Sequence, residues 1–341
     1  MAAERWILAI ADDLTGALET GAKFASRGLT SRVTTEPGLT ARPEVDVLVV
    51  DTETRHLPGG EAADVVRGLA AAAVEFTPWL IYKKTDSTLR GNIAAELRAL
   101  QQVMPDRELI YAPAYPEMGR TVKEGRLLVH GVPVHQTAFA RDPLNPVVHS
   151  DIAKLLGDVP AVLVDGESSD DVRSAARRIV SAERPFAAGP ASLAGALAEG
   201  ISGCGGEAGR TWPRIPRCLV VNGSLHPASG QQVQGADAGG CFAEGWRCFS
   251  GVLSGTGLER AQETGEQVRR MLAESPVDAL IVFGGDTAFA IHGALGAGAF
   301  EPYGEIVPGV PLSSCNGLLW ITKAGGFGEP DLLCEIRRLT R

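Results

Sequence analysis

Basic charge is the first thing this chain is short of. Against 41 aspartates and glutamates it sets 32 lysines and arginines, a formal net charge of −9 over 341 residues. Nucleic-acid binders usually carry a basic footprint, so nucleic acid is not an expected partner. A small anion still fits, because it needs only local positive charge. Long apolar runs are also missing. None approaches the length that crosses a bilayer, and WILAIA at Trp6–Ala11 is too short for a signal-peptide core, so no membrane partner is expected. The first 203 residues contain no cysteine, and the later Cys204, Cys218, Cys241, Cys248, Cys315 and Cys334 form no C-x-x-C pair. Scattered thiols without a framework point to a reducing compartment, and the expected location is cytoplasmic. The histidines at 130, 135 and 149 fit no metal spacing. Neither G-x-x-x-x-G-K-[ST] nor G-x-G-x-x-G occurs, which removes both standard nucleotide fingerprints.

What is present is ordinary apolar material, 45% of the chain, enough for real cores in two domains or one large one. Short apolar runs alternate with helical patterns. Strands are expected at Trp6–Ala11, Val45–Val50, Trp79–Tyr82, Arg107–Tyr111, Ala161–Val164 and Phe186–Ala188, with helices at Glu61–Phe76 and Asp170–Ala182. Short strands turning at Gly125, Gly131 and Pro133 are expected between 121 and 140. Gly200–Pro216 is dense in glycine and proline and has no hydrophobic period, so it reads as a linker. The alternation restarts with Cys218–Val221, Glu259–Glu274 (helix), Asp278–Phe283, Leu318–Lys323 and a last helix over Pro330–Leu339, while 235–257 gives no clear assignment. The expected fold class is α/β: two domains, each a mainly parallel sheet flanked by helices, with a cleft between them. The boundaries are 1–203, a linker at 204–216, and 217–341.

Polar chemistry gathers at the ends of these strands, where α/β proteins place their sites. Lys83–Asn92 reads KKTDSTLRGN, which is more charge, hydroxyl and amide than a chain reversal needs. A structural ion-pair network is the bland alternative. Asp12 and Asp13 follow the first strand; one aspartate suffices to cap a helix, and the second suits a general base or a metal-bound water shell. Pro113 and Pro116 stiffen APAYPEMGR, which ends in Arg120, a guanidinium that can be held still for a carboxylate or phosphate. Taken alone that loop could equally be a surface turn. Together Asp12, Asp13, Lys84, Asp86, Ser87, Arg90 and Arg120 suit a polyhydroxylated acid. Cations would neutralise its carboxylate, and Asp and Ser would read its hydroxyls.

The second half offers a different inventory: NGS at Asn222–Ser224, GGDT at Gly284–Thr287 and KAGGFG at Lys323–Gly328. Glycine lets backbone N–H groups approach an oxyanion, and a helix starting there adds its positive end. Close strand–helix packing would also explain any one of these loops. One acid half-site and one phosphate half-site describe a two-domain small-molecule kinase, in which the protein mainly positions and neutralises.

ADDLTGA, KKTDSTLRGN, APAYPEMGR, GGDTA, PGVP and KAGGFG, in this order, resemble the four-carbon acid sugar kinase family over nearly the whole chain. The resemblance implies a sugar-binding N-terminal domain and a nucleotide-binding C-terminal domain. It implies ATP-dependent phosphorylation of threonate, erythronate or an oxo-tetronate at the terminal hydroxyl. Nucleotide contacts would fall on Ser224, Gly284, Gly285, Asp286, Thr287 and Gly325, and the sugar acid on Asp12, Asp13, Lys84, Asp86, Ser87, Arg90 and Arg120. ATP would arrive as its Mg2+ complex. The expected base is Asp12 or Asp13, then Asp86, then Asp286, which alternatively holds the magnesium. Arg90 and Arg120, with Lys84, would hold the carboxylate. The stretch between Gln232 and Glu259 is shorter than the family pattern and glycine-rich, as if a strand-helix element were trimmed. A non-catalytic sugar-acid sensor and a sugar-acid dehydrogenase are the competing readings, although DDLTG is a poor substitute for the glycine fingerprint a dehydrogenase wants. A homodimer is compatible with the sequence.

Overall fold

The computed structural model describes residues 5–36, 38–142, 144–203, 211–242, 245–252 and 254–341. Two compact units emerge, Met1–Gly206 and Glu207–Arg341. Residues 204–210 of the expected linker, including Cys204, lie outside the described residues. The far end of that stretch is no free tether. Ile215 is buried, Trp212 packs against the core of the second unit, and the Ile215 N–H donates to Thr340 O at 2.9 Å. Two large apolar side chains had a core to join.

The first unit runs β1 (Ile7–Ala11), α1 (Leu14–Ala25), β2 (Ser31–Thr34), β3 (Val47–Asp51), α2 (Gly59–Val74), β4 (Leu80–Lys84), α3 (Ile93–Val103) and β5 (Leu109–Tyr111). It continues through β6 (Arg120–Lys123), β7 (Arg126–Val129), β8 (Val132–Pro133), α4 (Ile152–Leu156), β9 (Ala161–Leu163), α5 (Ser169–Val180), β10 (Phe186–Gly189) and α6 (Ala191–Ser202). Seven strands form one sheet in the order β2-β3-β1-β4-β10-β5-β9, parallel throughout. β1, β3 and β4 are buried along their whole length, which is why they read as apolar runs up to the charged residues Asp51, Lys83 and Lys84 at the ends of β3 and β4. Helices flank the sheet: α1 packs with α6, which also meets α5, and α2 packs with α3. β6, β7 and β8 form a separate antiparallel three-stranded sheet. β1 sits between β3 and β4, so the chain moves to one side of it and returns on the other. The carboxyl ends of strands at such a switch point are where open α/β sheets bind ligands.

The second unit runs β11 (Cys218–Asn222), α7 (Pro227–Ala238), β12 (Trp246–Ser250), α8 (Gly257–Glu274), β13 (Ala279–Phe283), α9 (Gly285–Ala294), β14 (Glu301–Val307), β15 (Val310–Cys315), β16 (Leu318–Lys323) and α10 (Leu332–Leu339). Its sheet order is β12-β11-β13-β16-β15-β14, with the first four strands parallel and the last two antiparallel. A capping box between Thr256 and Glu259 starts α8. The stretch between Gln232 and Glu259 still carries the edge strand β12 and completes a β-α-β-α-β alternation. One expectation is corrected here. Cys241 and Cys334 are joined as a disulfide across 93 residues, so the thiols are not all unpaired. Cys241 follows α7 and Cys334 lies on α10, and these two helices pack together. Sequence spacing alone could not reveal that contact.

Candidate functional site

The first unit gathers its charged residues at the carboxyl ends of β1, β3 and β4. Asp13 caps α1, accepting from the Gly16 N–H at 3.2 Å. The Leu14 N–H donates to Glu53 Oε1 at 3.0 Å, so the loop after β3 also holds the first turn of α1. Arg55, from that same loop, organises the aspartates. Its Nε donates to Asp12 Oδ2 at 2.9 Å, and its Nη2 donates to Asp12 Oδ1 at 2.8 Å and to Asp13 Oδ1 at 2.7 Å. Asp86 Oδ1 lies 3.9 Å from the same Nη2. Burial pushes the Asp12 carboxyl up, but Arg55, Lys83 and Lys84 outweigh it and hold it below the usual range. Asp51, at the end of β3, goes the other way: burial, then the charges of Glu53 and Asp13, push it well up.

KKTDSTLRGN divides its labour. Lys83 is buried and pairs with Glu96 at 3.0 Å on α3, so it serves the core of the network. Asp86 folds the turn, accepting from the Thr88 N–H at 2.9 Å and the Thr88 hydroxyl, and from Arg90 Nε at 3.1 Å and Nη2 at 2.8 Å. Burial raises its carboxyl, yet Arg90 and Arg55 bring it well below the ordinary value. Arg90 also donates to Asp142 Oδ2 at 3.2 Å and lies 5.6 Å from the Phe139 ring centroid. Ser87 is half-buried on the same turn. Asn92 Nδ2 donates to Thr54 O and Leu57 O, both at 2.8 Å, tying this turn to the Arg55 loop. Gly91 has φ +87°, and a Cβ there would lie 3.0 Å from Asp12 Oδ2 and 3.3 Å from Arg55 Cγ. Only glycine allows the backbone that close to the ion pair.

Two cations are left with capacity. A Cβ on Gly16 would sit 2.5 Å from Asp13 Oδ1 and 2.8 Å from Lys84 Nζ, so Asp13, Lys84 and the start of α1 meet at one point. Arg120 donates from Nη1 to Met118 O, while its buried Nε has no hydrogen-bond partner. Burial pushes this guanidinium down, and the Asp86 charge only partly opposes that, which places Arg120 electrostatically with the Asp86 turn. Among the described residues neither Lys84 nor Arg120 forms an ion pair. Of the three aspartates, Asp13 is the open one, with 18% side-chain exposure against 2% for Asp12 and 8% for Asp86.

The second unit brings its three glycine loops side by side, because β11, β13 and β16 are neighbours. The Gly223 N–H donates to Phe283 O and the Gly284 N–H to Lys323 O, both at 3.1 Å. A Cβ on Gly223 would lie 2.0 Å from Thr287 Oγ1, and one on Gly325 2.2 Å from Ser224 Oγ. Gly284, at φ +107°, turns the chain directly into α9, which opens with Gly285, Asp286 and Thr287. Ser224, Gly284, Gly285, Asp286, Thr287 and Gly325 thus share one end of one sheet. That is a cradle of small residues and a helix N-terminus, the form a phosphate takes to. Among the described residues no three His, Cys, Asp or Glu side chains converge as a metal cage. A magnesium ion held chiefly by nucleotide phosphates needs no such cage.

Sequence reasoning passed over Arg55, Glu53 and Glu96 in the first unit, and His226, Ser229 and Lys323 in the second. A signal existed for Arg55, which closes a polar run, DTETR, at a strand end.

Residues 7–159 match the sugar-binding N-terminal domain family and residues 253–333 the nucleotide-binding C-terminal domain family. The chain is 32% identical to a D-threonate kinase of Bordetella bronchiseptica over 403 positions, covering 97% of this chain and 96% of that one. It is 28% identical to a D-threonate kinase of Salmonella typhimurium over 417 positions, covering 96% and 97%. Both alignments are longer than this chain, so these relatives carry residues that it lacks. A solved Salmonella typhimurium structure superposes with a TM-score of 0.80 at 20% identity, covering 97% of this chain and 98% of that one, and shows the shared fold. A Bordetella bronchiseptica structure with bound citrate, described as a domain-swapped dimer, gives a TM-score of 0.55 at 30% identity over 98% of both chains. The chain belongs to the four-carbon acid sugar kinase family.

Proposed function

We propose that the protein transfers the γ-phosphoryl group of ATP to the terminal hydroxyl of a four-carbon sugar acid, with D-threonate the first acceptor to try. The observation that carries this reading is the pairing, in the first unit, of two cations that among the described residues lack a carboxylate partner with one half-buried aspartate. Lys84 and Arg120 supply the charge for the acid's carboxylate, and the unpartnered Nε of Arg120 is a donor waiting for an oxygen. Arg90 is already spent on Asp86 and Asp142, so it shapes the turn rather than gripping the acid. Asp13 takes the proton from the attacking hydroxyl. Asp86 is a poor base, since Thr88 and Arg90 occupy its oxygens and hold it ionised. Asp12, gripped by two Arg55 nitrogens, positions that arginine for Asp13. In the second unit the α9 N-terminus and the glycine loops hold the nucleotide's phosphates. Magnesium, carried with those phosphates, supplies charge neutralisation when bound.

The two half-sites separate under one substitution. Gly223→Ala drives a Cβ into Thr287 and so displaces the start of α9. Overpacking of this kind costs the fold about 1–3 kcal/mol, and the displaced α9 start should weaken ADP binding by roughly tenfold or more, about 1.4 kcal/mol. Calorimetric titration with D-threonate should give the wild-type constant for the same variant. Unchanged ADP affinity would remove the glycine loops from the nucleotide site.

A further inference from the structure

Lys323 ends β16 and is buried, at 1% exposure. Its Nζ donates to Ser229 Oγ at 3.2 Å, Ala324 O at 3.2 Å and Gly325 O at 3.0 Å. The Phe283 ring centroid is 4.3 Å away. Every one of these partners is neutral, and among the described residues no carboxylate pairs with Lys323. A buried ammonium held only by dipoles is costly, and such a lysine sheds its proton readily. Burial pushes this one down to about 7. The groups around it are few. β13 contributes the Phe283 ring, α7 the Ser229 hydroxyl, and the loop after β16 two carbonyls. The loop between β11 and α7 contributes His226, whose imidazole is held down by burial and then by the Lys323 charge.

Its position gives that missing counter-charge a meaning. Nζ binds the carbonyl of Gly325, the residue whose Cα faces Ser224 across the glycine cradle. The Ser229 hydroxyl, which donates to Gly325 O at 2.8 Å, ties α7 to the same peptide. The side chain therefore lies directly behind the wall of the proposed phosphate site.

We propose that Lys323 is a positioning residue that takes up a proton when nucleotide binds, the phosphate tail supplying the counter-anion that the free chain lacks. The proposal rests on the nucleotide reading of this unit. The proton comes from solvent, and the one bond formed is the third N–H on Nζ: the neutral amine can donate to only two of its three acceptors at a time, the charged one to all three. Once charged, Nζ holds the Ala324 and Gly325 carbonyls more firmly and fixes the cradle wall. The pH window follows from linkage. Below pH 7 the free chain already carries the proton and binding takes up none. Above it, free Nζ is mostly neutral and bound Nζ is charged, so uptake rises toward about one proton per nucleotide. Affinity then declines as pH climbs from 7 toward the bound-state value.

The test is calorimetry of Mg-ADP binding near pH 8 in buffers of different ionisation enthalpy, where the ADP phosphates are already ionised. The slope counts protons. Uptake close to one is expected for the wild-type chain and for His226→Gln, and close to zero for Lys323→Met. The methionine variant should also lose the pH dependence of its affinity between pH 7 and 9. Zero uptake in a wild-type chain that binds ADP would overturn the proposal, whether or not the methionine variant folds. So would uptake that persists in Lys323→Met or vanishes in His226→Gln. If ADP does not bind under any condition, the nucleotide reading itself fails, which is a separate result.

Discussion

Replacing Asp13 by asparagine should lower kcat by about 100- to 10,000-fold, the usual contribution of a positioned general base, with a smaller loss of stability, because the amide oxygen can still accept from Arg55 Nη2. Asparagine caps a helix about as well as aspartate, so the Gly16 N–H keeps its acceptor and α1 keeps its start. The amide cannot take a proton. The matching change at Asp86 should act differently, because Asp86 Oδ1 and Oδ2 hold the Arg90 fork and the Thr88 turn. Asp86→Asn should therefore damage stability and acid binding together, whereas Asp13→Asn should spare acid binding and cost less stability. Steady-state kinetics beside thermal denaturation read out the difference. An Asp13→Asn enzyme with near wild-type kcat would remove Asp13 as the base.

The second large effect is structural. Arg55→Met should strand two carboxylates, Asp12 at 2% side-chain exposure and Asp13 at 18%, next to the buried Asp86. Removing one member of a buried ion pair costs about 3–5 kcal/mol, because the remaining charge stays desolvated. Arg55→Lys should recover only part of this, since one ammonium cannot reproduce two parallel N–H bonds to Asp12 and a third to Asp13. Chemical denaturation followed by a probe in the first unit measures the loss. A change under about 1 kcal/mol, the range of a surface pair, would show that the cluster is solvated rather than buried.

Much of the fold was legible because parallel strands covered on both faces must be apolar throughout. VLVVD and ALIVF announced β3 and β13 for that reason. Outside that regime the turns at Gly125, Gly131 and Pro133 still marked β6 to β8, but other strands were silent. β14 and β15 read EPYGEIV and VPLSSC, with proline, glycine and serine that mark loops elsewhere, and they pair antiparallel at one side of the sheet. β12 is an edge strand within a glycine-rich stretch, and β2 is four residues long. α9 begins at Gly285, immediately after β13, because the positive-φ Gly284 can turn the chain directly into a helix.

The candidate sites were legible as loops and not as contacts. DDLTG, KKTDSTLRGN and the three glycine loops could be picked out one by one. That Arg55 grips Asp12 across 43 residues could not, since it depends on β3 lying beside β1. The same holds for Arg90. Its charge suggested a substrate grip, yet the fold had already given it Asp86 and Asp142. Lys323 opens KAGGFG at a strand end, where lysine reads as solvated. The structure buries it.

The central claim is acid-dependent phosphoryl transfer, and the most direct measurement is ADP release by the purified chain with Mg-ATP and a panel of four-carbon acids. D-threonate, D-erythronate and 3-oxo-tetronate would be compared with no acceptor. Release should require one of these acids, yield a product phosphorylated at the terminal hydroxyl, and disappear in Asp13→Asn. ADP release indifferent to the acid, or none with any member of the panel, would contradict it.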